Sequence, residues 1–231
     1  MTDYYKTTLE VLYQILQEEN YDHWAKWMQE DIKLWENNKS VEHHLRAYGG
    51  MGSFNDVNVG GNDKEGIWKN HIFGRLQTLA YSLAKGNSVE SILKPISNQH
   101  HAIEISGWRC RNCGDARMTD RDINLFIAYY FIPKFFAEYV HKDKLQEVAN
   151  ITKLIDSEEV TVKKEQIKSL IQQANIVLNP DDNWLWNCPK CESSEVCAYR
   201  WKVLKDGSKL VESDGNLDIK SELSTICRTK N

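Results

Sequence analysis

Four cysteines carry the clearest chemistry in this chain. They form two Cys-x-x-Cys pairs, Cys110/Cys113 and Cys188/Cys191. A Cys-x-x-Cys turn brings two thiolates to one point, and two such turns supply the four-sulfur tetrahedral shell that zinc takes in closed structural sites. The pairs resemble each other in detail. Gly114 follows the first and Pro189 sits inside the second, and aromatic segments precede both, with Trp108 before one and Trp184 and Trp186 before the other. The expectation is one structural Zn2+ held between two equivalent knuckles, as in zinc-ribbon and rubredoxin-like folds. The alternatives are another metal such as iron, or buried cysteines with a redox or packing role and no metal. A shell of four thiolates leaves no open coordination position, so the metal would hold the fold and perform no chemistry. The spacing is unusual: residues 114–187, 74 in all, separate the pairs, so an insertion must fold while its ends return to the metal. Cys197 and Cys227 lack a paired neighbour and read as core residues.

The second distinctive feature is the loop Tyr48-Gly49-Gly50-Met51-Gly52-Ser53-Phe54-Asn55-Asp56. It is no P-loop, because no Gly-Lys-Ser/Thr follows, and no dinucleotide fingerprint, because a helix precedes it where a strand is required. Its glycines suit a backbone crossing at positive φ, and Ser53, Asn55 and Asp56 can bond to local amides. Two readings stand: a structural crossover, or a ligand or partner loop presenting Ser53, Asn55 and Asp56. His43 and His44 precede the loop and could join Asp56 and His71 in an acid–base or second metal cluster, although surface or core histidines explain them more simply. His100 and His101 precede the first knuckle strand. No serine-nucleophile elbow, paired catalytic carboxylates or His-Glu-x-x-His is present, so no catalytic residue is assigned.

The stretch from about 16 to 86, centred on HLRAYGGMGSFND, resembles a small bacterial domain of unknown function marked by a YGGMGSFND-type segment. That resemblance implies a bacterial source and carries no chemistry. A loose association of such domains with toxin or defence genes implies an immunity or antitoxin-like role.

The elements that must position these residues follow from periodicity. Residues 1–95 read as a helical domain, with Leu9, Leu12, Tyr13 and Leu16 on one helical face and Trp24, Trp27, Met28 and Trp35 on another. Asp22 and Ser40 are candidate N-caps, a helix from about 68 to 85 ends at Gly86, and a short helix after Ser88 stops before Pro95. Residues 96–231 read as a zinc-ribbon-like domain with a helical insertion at about 120–178. In it, 102–109 alternate as a strand, Asp120 opens a helix broken by Pro133, and a charged stretch at 156–164 precedes a helix at about 164–178. Asn179-Pro180-Asp181 reads as a turn, and Val196–Leu204 with Lys209–Ser213 as a β-hairpin around Asp206-Gly207. The last dozen residues look weakly ordered. The fold class is α+β.

The 231 residues carry a net charge of −4 with both signs mixed. That argues against a nucleic acid held by bulk positive charge, although Arg109, Arg111, Arg117, Arg121, Lys190, Arg200 and Lys202 around the knuckles leave nucleic-acid binding as one alternative to a protein partner, and an enzyme with a site near the glycine loop as another. The apolar stretch 123–140 contains Asn124, Pro133, Lys134 and Glu138 and reads as buried helix with no membrane span. If it is exposed, its aromatic run would make a dimer or partner interface. The N-terminus has no signal-peptide pattern, and a cytoplasmic chain uses cysteine for metal before disulfides.

Overall fold

The computed structural model describes residues 3–97, 103–179, 186–204 and 207–213. Its elements, in chain order, are α1 (Tyr4–Glu18), α2 (Asp22–Asn38), α3 (Glu42–Arg46), α4 (Lys64–Ala84), α5 (Val89–Ser97), β1 (Glu104–Cys110), β2 (Ala116–Thr119), α6 (Asp120–His141), α7 (Ile151–Ile155), α8 (Glu158–Gln173), β3 (Val177–Asn179), β4 (Val196–Val203) and β5 (Leu210–Glu212). The protein is thus mixed helix and sheet with a helical N-terminal region. Among the described residues no helix is long and apolar enough to cross a membrane.

The chain divides into two compact units: residues 1–101 with 128–157, and residues 102–127 with 158–231. The division does not follow the expected boundary at 95. Residues 128–157 cluster with the N-terminal helices, because the apolar face of α6 there belongs to their core. Phe131 and Phe136 are fully buried, and the Phe135 ring lies 6.3 Å from that of Trp68. The aromatic run of α6 is therefore largely core, with Tyr129 its one large exposed hydrophobic residue.

In the first unit α1 packs between α2 and α4, burying Leu9, Leu12 and Leu16 with Met28 and Leu76. Local signals set the helix ends. Asp3 caps α1 by accepting from the Lys6 amide, and Asp63 caps α4 by accepting from the Gly66 amide. Such caps satisfy N–H groups that have no partner within the helix. Two expected caps are not used. Helix α2 begins at Asp22 itself, after Tyr21, and α3 follows Val41, neither with a side-chain cap bond. Helix α3 ends at Arg46, before Tyr48, and α5 continues through Pro95 to Ser97.

The second unit holds a five-stranded sheet of order β3-β2-β1-β4-β5, antiparallel except for the parallel β2–β3 pair. Strands β1 and β4 pair along seven residues, from Glu104↔Lys202 to Cys110↔Val196. The β4–β5 hairpin has the expected register, Trp201↔Glu212 and Val203↔Leu210. Lys205 and Asp206 of its turn lie outside the described residues, as do Pro180 and Asp181 of the other expected turn.

Two helices differ from expectation. Pro133 does not break α6, which runs unbroken to His141. Its start is fixed by a reciprocal pair: the Thr119 amide donates to Asp122 Oδ2 at 2.8 Å and the Asp122 amide to Thr119 Oγ1 at 3.1 Å. This is the logic of a capping box. The charged stretch at 158–164 is no separator but the first half of α8, which ends at Gln173 so that β3 can form. Its charges alternate with Val160 and continue a face that buries Ile167 and Ile171, so charge density misled the reading where the helical period did not.

Gly66, in the first turn of α4, touches the preceding loop so closely that a Cβ there would lie 2.2 Å from the Gly61 amide nitrogen. Gly74, two turns further on, has nothing within 4 Å of the same position. Gly66→Ala is expected to destabilise by roughly 2 kcal/mol through forced displacement of backbone. Gly74→Ala should instead stabilise by about 0.5–1 kcal/mol through helix propensity. Urea unfolding of the two variants measures both signs.

Candidate metal centre

Residues Cys110, Cys113, Cys188 and Cys191 come together in the second unit. Their sulfurs all lie within 4.8 Å of one another. Cys110 Sγ is 3.6 Å from Cys191 Sγ, and Cys113 Sγ is 3.6 Å from Cys188 Sγ. Four sulfurs at roughly 2.3 Å from a central zinc would stand about 3.8 Å apart, so the spacing fits a tetrahedral thiolate shell. The first cysteine of each pair is buried and the second half-buried.

The two pairs are built alike, bond for bond. The Cys110 amide donates to Asp115 O at 2.8 Å, and the Gly114 amide donates to Cys110 O at 2.9 Å. In the second pair the Cys188 amide donates to Ser193 O at 2.8 Å, and the Glu192 amide donates to Cys188 O at 2.8 Å. The fourth residue after each leading cysteine is left-handed: Gly114 at φ +76° and Glu192 at φ +60°. Glycine adopts that conformation without strain, whereas glutamate in it is strained. The backbone amides of Asp115 and Ser193 also bond to Cys113 and Cys191, the equivalent sulfurs of the two turns.

The turns, close at their sulfurs, are also joined by backbone. The Arg111 amide donates to Glu195 O at 2.9 Å, one step beyond the Cys110↔Val196 pair. Strand β1 thus delivers the first turn, and the second turn leads directly into β4. The aromatic segment before the second pair is not a strand at Trp186, which lies in a bend with its side chain 69% exposed. Trp184 lies outside the described residues.

The electrostatics of the cluster favour a cation. For Cys191, the Ser193 amide holds the thiol down, to about 7, with the Asn112 side chain and the neighbouring thiols assisting. For Cys113, the Asp115 amide acts in the same sense, but burial and the three surrounding sulfurs outweigh it and push the thiol up to about 12. Full ionisation of all four needs a positive charge at their centre.

Cys197 is no ligand. Its thiol donates to Arg109 O at 3.3 Å across the β1–β4 pair. Cys227, His100 and His101 lie outside the described residues.

The glycine loop resolves into local bonds in the first unit. Gly49, Gly50 and Gly52 have φ of +111°, +87° and +78°. Asp56 Oδ2 accepts from the Gly52 amide at 2.7 Å, and Ser53 Oγ donates to Asn55 Oδ1 at 2.7 Å. Phe54 is buried, its amide donates to Ala47 O, and its carbonyl accepts from Gln77 Nε2. The side chains proposed as a ligand loop are thus engaged with one another and with the crossover.

The suggested His43, His44, Asp56 and His71 cluster does not assemble. His71 packs against the Tyr129 ring at 4.4 Å, with burial and the Arg75 charge lowering its pKa. His43 and His44 instead converge on Asp31, a residue the sequence reading passed over. A signal was present: Asp31 follows Ala25 and Met28 at i+3 spacing on the buried face of α2.

The profile of a family described as a domain of unknown function (DUF6966) matches residues 17–67, which include Asp31, the two histidines and the glycine loop. The four cysteines lie outside the match. No curated protein and no solved structure matches the chain.

Gly52→Val is expected to cost about 1–2 kcal/mol from the left-handed backbone alone. Asp56→Ala, which removes one exposed hydrogen bond, should cost about 1 kcal/mol or less. Thermal unfolding of the two variants checks that order. Equal melting temperatures for Gly52→Val and wild type would remove the backbone argument.

Proposed function

We propose that the protein binds one structural zinc ion through Cys110, Cys113, Cys188 and Cys191 and acts by binding a protein partner in the bacterial cytoplasm. The observation that carries the zinc assignment is the meeting of two equivalent turns with their four sulfurs within 4.8 Å. Zinc would fix the ends of β1 and the approach to β4, in the manner of a ribbon-type centre interrupted by a long insertion. Thiolate ligation also suits a reducing compartment, where cysteines are not consumed as disulfides.

The preference for a protein partner over nucleic acid rests on how the basic side chains are engaged. Arg109 pairs with Glu212 and Arg117 with Asp115, while Arg200 and Lys202 both approach Glu104. Each carboxylate lowers the positive potential that phosphate binding requires. Exposed Trp186, two residues from Cys188, offers the amphipathic ring that protein interfaces favour. An immunity or antitoxin-like role is the specific form of this proposal that the sequence resemblance implies.

Purified protein should contain about one zinc per chain, measured by elemental analysis. Cys188→Ser should lose the metal and lower the melting temperature by roughly 10 °C, the shift that about 3–4 kcal/mol produces at this size. Folded wild-type protein free of metal would refute the assignment. Affinity capture from the native bacterium should recover one dominant protein whose complex survives moderate salt. Recovery of nucleic acid alone, with affinity falling steeply as salt rises, would favour the alternative.

A further inference from the structure

The Asp31 cluster is a built arrangement that the zinc centre does not use. The Asp31 side chain is 1% exposed, and its two oxygens face two imidazoles: Oδ1 lies 2.5 Å from His43 Nδ1 and Oδ2 lies 2.8 Å from His44 Nδ1. An ionised carboxylate only accepts, so the hydrogen in each contact sits on the Nδ1 atom. The same side chain therefore sets the tautomer of both rings.

The two histidines then differ. His44 is fully buried, and its Nε2 lies 3.3 Å from the Tyr48 hydroxyl, which in turn is 3.2 Å from the Gln77 carbonyl. That side of the cluster is closed by protein. The His43 side chain is 30% exposed, and among the described residues no other hydrogen bond reaches its ring. It stacks on Trp27 with centroids 4.3 Å apart and an interplanar angle of 23°. With Nδ1–H directed at Asp31, the lone pair of the neutral ring is at Nε2. A buried carboxylate that orients an imidazole, so that the far nitrogen is free to take a proton, is the arrangement general-base catalysis requires. Beside it, Trp24 and Trp27 are half-buried, with ring centroids 5.7 Å apart, and leave aromatic surface for a planar apolar group.

We propose that His43 is a general base held by Asp31 as its positioning residue, and that it acts on esters carrying an aromatic group. In the step it would perform, Nε2 accepts a proton from water as the water oxygen bonds to the ester carbonyl carbon. The tetrahedral species then collapses, the bond to the leaving oxygen breaks, and the proton passes from Nε2 to that oxygen. Ester and water become acid and alcohol, with no other reactant consumed. Asp31 stabilises the imidazolium that exists between the two transfers.

The test uses the full chain with its metal retained, and p-nitrophenyl acetate as the probe. Wild type should hydrolyse it at least about tenfold faster than His43→Gln, with exposed His141→Gln, at the end of α6, as the unaffected control. Asp31→Asn should lose the same activity. Because that variant also removes the charge that the two imidazoles satisfy in the core, the decisive companion measurement is made on wild type: nitrogen NMR of the His43 ring should show Nδ1 protonated and Nε2 unprotonated at a pH where the ring is neutral. Equal rates for wild type and folded His43→Gln, or a proton on Nε2 in the neutral ring, would overturn the proposal. Metal content, read separately by elemental analysis, keeps this result distinct from the fate of the zinc assignment.

Discussion

Four sulfur atoms gathered within 4.8 Å mark the point in the second unit where two distant turns of the chain must meet. They lie on two turns separated by 74 residues of chain. Closing so long an excursion costs only slowly more entropy as its length grows, so a helical insertion is tolerable provided its ends are firmly joined. Here two devices meet at those ends: the seven-residue ladder between β1 and β4, and the sulfur cluster that stands beside it. The two devices are continuous in the chain, because Cys110 is the last residue of β1 and its partner Val196 the first of β4. The equal hydrogen-bond pattern of the two turns gives the site its near-symmetry, which four unrelated buried thiols would have no reason to show.

The first unit is organised around a different constraint. A carboxylate at the centre of a helical core is tolerated only when its charge is met by donors. Asp31 is met by two, and the consequences spread outward from it. His44 is sealed beneath Tyr48, whose phenol is pushed up by burial, with the Tyr5 and Asp31 groups adding to the effect, so that it stays protonated. Tyr48 reaches the Gln77 backbone, and the Gln77 side chain holds the Phe54 carbonyl. A chain of polar contacts therefore runs from α2 through α3 to α4 and the end of the glycine loop. The loop's positive-φ glycines let the backbone turn tightly enough for Phe54 to enter the core.

Much of this was legible in the sequence, because the signals were local. Helical periodicity placed α1, α2 and α4 and the buried face of α1, alternation placed β1, the Asp-Gly turn signal placed the β4–β5 hairpin, and two Cys-x-x-Cys spacings named all four clustered residues; on α2 the three expected tryptophans are only half-buried and the buried face is Ala25, Met28 and Asp31. Each depends on residues within a few positions of one another. Local reading erred where a neighbouring element decided the outcome. Pro133 reads as a breaker, yet the buried aromatic face on either side of it keeps α6 continuous. Residues 128–157 read as part of an insertion in the second domain, yet their apolar side chains join the first unit's core.

What the sequence by itself determined is a helical N-terminal region, a cysteine centre and a mixed fold, since periodicity and thiol spacing act over a few residues. Only the tertiary structure decided that His43 and His44 face Asp31 and not Asp56 or His71. Asp31 lies 12 and 13 positions before its partners, and nothing within α2 announces which imidazoles will meet it. The choice follows from packing α3 against α2, which buries the acid and leaves those two rings as the donors that satisfy it.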